Sequence, residues 1–194
     1  MVKKNPGDVF SNIPNPKELW CLIQNTYDNQ RDKALVATLY TTGARISEIL
    51  QTKPNNYIQK ENTLLIERPI LKKRKKEWKP TQIPKDAYSE LIMQWVSMLP
   101  KKDKVFDINR KRAWQIITRM QWESYHIWPH LLRHMRNTEL DKLNLDVKER
   151  IIFMHWGAKN PAQPLSYLFR EKAAIQEKVQ KGAFNLEKNM QNVS

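Results

Sequence analysis

The chain of 194 residues carries 34 lysines and arginines against 20 acidic residues, a formal charge of +14, and 40% of its residues are hydrophobic. That length holds one domain with a real core, or one domain plus a short appendage, and the charge points to a polyanionic partner whose counterions are released on binding. The one cysteine, Cys21, excludes an intramolecular disulfide and a cysteine-based zinc site and fits a reducing compartment.

The N-terminus, Met1-Val2-Lys3-Lys4-Asn5-Pro6, has no apolar run behind its lysines and is not a signal peptide. Residues 1–14 read as a flexible lead-in. Asn15-Pro16-Lys17-Glu18 then opens a helix, with Asn15 as cap and Glu18 closing a capping pair, and Leu19, Trp20, Leu22 and Ile23 form its buried stripe. A second helix is predicted over 32–41, with Leu35, Val36 and Leu39 inward. It stops at Gly43, and a third starts at once with Ile46, Ile49 and Leu50 on one face.

Residues 56–84 change character. Tyr57-Ile58, Leu64-Leu65-Ile66 and Gln82-Ile83 are short β-type runs, with Asn62 and Pro80 in the connections, and predict a small antiparallel sheet of two or three strands. The last connection is Leu71 to Lys79, and it holds six cations in the eight positions 72–79. Helical spacing then returns through Tyr88, Leu91, Ile92, Trp95 and Leu99, over 109–122 around Trp114, Ile117 and Met120, and over 130–143. Asp146-Val147-Lys148-Glu149 caps a helix ending at Gly157. Pro161 and Pro164 break the chain before a last helix over about 165–181, and 182–194 is a polar tail. The fold class is mainly α with a small antiparallel β-sheet (α+β). No window approaches 18 apolar residues, so nothing in the sequence predicts a membrane span.

Some of these segments carry residues suited to phosphate chemistry. Arg45 lies two residues after the helix-breaking Gly43, with Glu48 placed one turn on to hold its guanidinium. His130 and Arg133 are spaced i,i+3, on one face at the start of a helix, with Leu131 and Leu132 turned to the core. His126, His130 and His134 are spaced by four, but Pro129 interrupts that register, so no metal site is assigned. Lys73, Arg74, Lys75, Lys76 and Lys79 are candidate contacts to DNA phosphates. Arginine suits fixed charge stabilisation because its planar fork stays protonated; lysine suits proton donation because cationic neighbours lower its pKa.

Thr42-Gly43-Ala44-Arg45-Ile46-Ser47-Glu48-Ile49-Leu50 closely resembles the first-arginine motif of the tyrosine recombinases, the phage-integrase family, TGxRxSExL. His130-Leu131-Leu132-Arg133-His134 resembles the family's HxxRH pattern, His155-Trp156-Gly157 follows, and Tyr167 stands downstream at the family's order and approximate distance. The resemblance spans about residues 15–170, and the expected catalytic domain is 15–181. It implies metal-free, cofactor-free transesterification of DNA. Arg45, His130 and Arg133 would hold the scissile phosphate, Glu48 and His134 would support them, and Tyr167 would attack to leave a 3′-phosphotyrosyl link.

A lysine on the β-hairpin protonates the leaving 5′-oxygen in that family. Lys72 is the first candidate and Lys73 the second, whereas anchoring the alignment on Pro84 favours Lys76. A Gly-His or Gly-Trp ring normally contacts the phosphate about nine residues before the tyrosine. Aligning Val147–Met154 puts Trp156 there and His155 where the glycine sits, with His155 as the alternative ligand; Trp156 to Tyr167 is eleven residues, a loop about two longer.

The resemblance further implies double-stranded DNA as partner, with a homotetramer on two duplexes and a monomer or dimer off DNA. It implies a cytoplasmic, nucleoid-associated setting, or host cytoplasm for a viral integrase. Members commonly carry an N-terminal helical clamp, and about 14 residues precede the first helix here, so either a catalytic-domain fragment or a minimal integrase is expected. Two readings stay open beside site-specific recombination: type IB topoisomerase-like nicking and religation, and a DNA-binding module that keeps the fold without cutting.

Overall fold

The computed structural model describes residues 13–71 and 77–155, together with Val179. Helix α1 (Pro16–Thr26) opens as expected: the Asn15 side chain accepts from the backbone N–H groups of Lys17 and Glu18 at 2.9 and 3.0 Å, and Glu18 accepts from Asn15 N at 2.7 Å. Such a cap is worth about 1 kcal/mol. Leu19 and Ile23 are buried, whereas Trp20 and Leu22 only pack against the core's edge.

Helix α2 (Gln30–Thr42) is the axis of the molecule, buried at every position from Ala34 to Thr42. A helix buried all round must hide its polar groups. Thr38, Thr41 and Thr42 do so by donating their hydroxyls to the carbonyls of Ala34, Ala37 and Thr38 at 2.7, 2.8 and 2.6 Å. Gly43 ends the helix in the left-handed region, at φ 58°, and a four-residue α3 (Ile46–Ile49) follows.

A 3₁₀ turn over Pro54–Asn56 leads into an antiparallel sheet of order β1 (Tyr57–Gln59), β2 (Thr63–Ile70) and β3 (Glu77–Pro84). The sheet is longer than the β-type runs suggested. The register pairs Leu64 with Ile83, Ile66 with Thr81, Arg68 with Lys79 and Ile70 with Glu77. Pro80 and Lys79 therefore lie inside β3 rather than in a connection, and β3 tolerates its proline because it is an edge strand.

Helix α4 (Ala87–Val96) packs on α2, and Val105 and Phe106 bury the chain that follows. The helix expected over 109–122 is shorter. Helix α5 spans Arg110–Ile117, and Met120 instead opens a small hairpin, accepting from Ile127 N at 2.9 Å. That hairpin pairs β4 (Gln121–Trp122) with β5 (Tyr125–His126) around Glu123, whose φ is 48°. A turn made by Glu-Ser carries no glycine or asparagine signal, which is why the hairpin was not legible in the sequence. Trp114, expected inside, is 52% exposed, while Ala113, Ile116 and Ile117 form the inward face.

Helix α6 (Pro129–Lys142) lies against α2, and α7 (Val147–Phe153) packs on α6. Arg136 joins these layers. It pairs with Glu139 at 2.6 Å and stacks on Phe153 and Tyr40 at 5.1 and 6.0 Å, and the Tyr40 hydroxyl donates to Glu139 at 2.7 Å. Of the helix expected over 165–181, Val179 alone is described; it is helical and buried. No helix among the described residues is long and apolar enough to cross a membrane.

Candidate active site

The site is built where α2, α3, β2, α6 and α7 meet. Arg45 caps α3, and its guanidinium donates to Glu48 Oε1 at 2.8 Å while its backbone N–H donates to Glu48 Oε2 at 3.0 Å. The i,i+3 pair anticipated from the sequence is formed. Its carboxylate is almost fully buried, whereas the Arg45 side chain keeps 29% exposure and is open to a ligand.

Glu48 has a second partner that the sequence reading missed. Arg68 of β2, fully buried, pairs with Glu48 Oε2 through Nη1, and its Nη2 donates to the Met154 carbonyl at 3.3 Å. One signal could have found it. In Leu64-Leu65-Ile66-Glu67-Arg68, strand alternation places Arg68 on the same face as Leu64 and Ile66, a charge in line with core residues.

Arg133, on the first turns of α6, is buried to 8% exposure. Its Nη1 donates to the Gly43 carbonyl and its Nη2 to the Met154 carbonyl at 3.4 Å. Leu131 and Leu132 are wholly buried, as expected, and His130, one turn before Arg133, is exposed. His134 is also exposed; partial burial, then the charges of His130 and Arg133, hold its pKa below the usual 6.5.

Three arginines and one carboxylate give this cluster a net charge of +2. Burial pushes Arg68 down to about 10, with Glu48 opposing and Arg45 adding to the fall; burial, then Arg68 and Arg45, does the same to Arg133. Both stay protonated at neutral pH. A cationic cluster with one arginine open to solvent can hold an anion such as a phosphodiester and stabilise charge developing on its non-bridging oxygens.

Helix α7 was expected to run to Gly157 and stops at Phe153. The Met154 carbonyl, just past the helix end, accepts from Arg68 and Arg133. His155 then takes a left-handed backbone, φ 50°, a conformation that favours glycine. Its ring is turned to β3, with Nε2 3.0 Å from the Pro80 carbonyl and 3.1 Å from Thr81 Oγ1. Lys79 lies on β3, 3.3 Å from Glu77. Lys72, Lys73, Arg74, Lys75, Lys76, Trp156 and Tyr167 lie outside the described residues.

A mainly helical body with a three-stranded sheet and a cluster joining two arginine motifs is the architecture of a tyrosine recombinase catalytic domain. The chain belongs to the phage integrase family, whose model matches residues 15–160. Its fold is similar to that of XerH site-specific recombinase bound to difH substrate in a pre-cleavage complex, with a TM-score of 0.60 and 17% identity, covering 82% of this chain and 48% of that one. It is also similar to the integrase from mycobacterium phage Brujita, with a TM-score of 0.56, 18% identity and coverage of 93% and 59%. The Tn1549 transposon integrase in complex with circular intermediate DNA is a further structural match, with a TM-score of 0.51, 13% identity and coverage of 87% and 62%. The chain thus spans about half to three-fifths of the chains it matches. No curated protein sequence matches it.

Proposed function

We propose that the protein cuts and rejoins DNA strands through a 3′-phosphotyrosyl intermediate, as in site-specific recombination. The observation that carries this reading is the joining of its two arginine motifs: Arg133 is bonded to Gly43, two residues from Arg45, and Arg45 is held by Glu48. The DNA-bound recombinases of similar fold support duplex DNA as the substrate. Residues 15–181 act as the catalytic domain, assembled as a tetramer on two duplexes.

Arg45 and Arg133 bind the non-bridging oxygens of the scissile phosphate, with His130 and the Trp156 indole N–H completing the cradle. The Tyr167 Oη attacks phosphorus as its phenol proton passes to solvent, and the bond to the 5′-oxygen breaks. A hairpin lysine, Lys72 first among the candidates, gives that oxygen a proton. The freed 5′-hydroxyl of a partner duplex reverses the step, so bond energy is kept. His155 is assigned a backbone role, which its left-handed conformation and its ring's engagement with β3 support.

A nicked suicide duplex, which loses its short 5′-hydroxyl fragment after cleavage, tests the reading. Wild-type protein should form a denaturant-resistant covalent adduct, in EDTA as well as in Mg²⁺, and Tyr167→Phe should form none while still binding DNA. An adduct of normal yield in Tyr167→Phe, or strict dependence on Mg²⁺, would overturn it.

A further inference from the structure

Arg68 is the most heavily buried cation among the described residues, and the phosphate chemistry proposed above gives it no task. Its side chain is fully buried, and its Nε is buried with no hydrogen-bond partner. Burying an arginine in this way is a weak means of gaining stability, because desolvation offsets most of the attraction. What Arg68 does have is an unusual set of partners. One arm of its guanidinium meets Glu48, the carboxylate that holds Arg45; the other meets the Met154 carbonyl, which also accepts from Arg133. A planar fork donates along fixed directions, so fixing its two arms fixes the relative placement of what they hold. Glu48 belongs to the first arginine motif, and Met154 directly precedes His155 and Trp156.

We propose that Arg68 is a positioning residue: it orients the Arg45 guanidinium through Glu48 and keys it to Arg133 through the shared Met154 carbonyl. Arg68 itself never meets DNA. Without it, Glu48 keeps its two bonds to Arg45 but loses the tether to β2, so the Arg45–Glu48 pair is free to shift as a unit relative to Arg133. Arg45 then samples orientations that do not match an in-line phosphate. The inference rests on the reading that Arg45 and Arg133 hold the scissile phosphate, but its geometric content does not.

Two readouts test it on the full chain, with Arg68→Met as the main variant and Arg68→Lys, which keeps a cation for Glu48, as the variant more certain to fold. In single-turnover adduct formation on the nicked duplex, each variant should slow cleavage, Arg68→Met by about 10²-fold. The same change made in an Arg45→Ala background should add little, because Arg68 acts through Arg45. Losses that multiply fully would overturn the proposal, since a merely structural residue would act independently of Arg45. The second readout needs no activity: the ¹⁵N–¹H guanidinium signals of Arg45 should be sharp and slowly exchanging in the wild type and broaden in both variants. Unchanged Arg45 signals would also overturn it. A wild-type protein that forms no adduct would sink the proposed function and leave the guanidinium signals to decide the role of Arg68.

Discussion

The Arg133 guanidinium donates to the carbonyl of Gly43, so the residue that ends the central helix also carries the acceptor that anchors the second arginine motif. Gly43 therefore both turns the chain and holds Arg133. Its φ of 58° lets the chain turn sharply from α2 into α3, and its bare Cα leaves room for the Met154 methyl, which an added Cβ would overlap.

Gly43→Ala tests both duties. The left-handed backbone alone should cost about 1–2 kcal/mol, lowering Tm by about 2–8 °C in a thermal melt. The Met154 methyl, at the end of a flexible side chain, can move aside, but the carbonyl that holds Arg133 moves with the strained residue. Adduct formation should therefore slow by about 10- to 10²-fold. A variant with wild-type Tm and rate would show that neither duty matters.

The general acid can be found by sulfur substitution. Lys72→Ala should lose about 10²–10⁴-fold in cleavage of an ordinary 5′-oxygen leaving group and recover on a substrate with a bridging sulfur, because a thiolate leaves without a proton. Arg45→Ala and Arg133→Ala should not recover, since they act on the non-bridging oxygens. If Lys76→Ala shows the recovery instead, the alignment anchored on Pro84 is the right one.

His155 and Trp156 are separated by a pair of substitutions. Trp156→Ala removes a proposed phosphate donor and should slow adduct formation by about 10²-fold. His155→Gly gives up the ring contacts to Pro80 and Thr81 but relieves the left-handed backbone, and should slow it far less. His155→Ala, which loses the ring and keeps the strain, should melt below His155→Gly by about 1 kcal/mol of stability. Equal slowing in His155→Gly and Trp156→Ala would return a phosphate contact to His155.

His134 gives a pH signature. Burial and the charges of His130 and Arg133 lower its folded pKa below 6.5, so the unfolded chain takes up a proton first as pH falls. The stability it contributes is present above pH 6.5 and is lost as pH drops through the lowered value. Tm measured from pH 7.5 to 5 should fall less steeply in His134→Gln than in the wild type. An identical slope would remove His134 from the linkage.

Much of this was legible because the relevant signals are local. The Asn15 and Asp146 capping boxes, the stop at Gly43 and the Arg45–Glu48 pair each lie within about one turn of sequence, and each formed as read. Arg68 escaped because its meaning lies in partners 20 and 86 residues away. The early end of α7 escaped as well, and the Met154 carbonyl just beyond it meets arginines on β2 and α6 that lie far away in sequence. The hairpin at Glu123 was hidden by a turn whose residues do not advertise it. Trp114 shares helical spacing with Ile117, which is buried, and only the packing of α5 turns it to solvent.

The ties that close the site are also among the longest in the chain: Arg133 reaches back 90 residues to Gly43, and Arg68 reaches forward 86 to Met154. Contacts of that span form late, because their loops must be closed before they repay the entropy. A nascent chain released from the ribosome only as far as β3 holds Arg45, Glu48 and Arg68, and has neither Arg133 nor the Met154 carbonyl. On the proposed function it lacks the second-motif arginine that would grip the phosphate, and competence to cut would arrive only once α6 and the Met154 carbonyl have been made and docked.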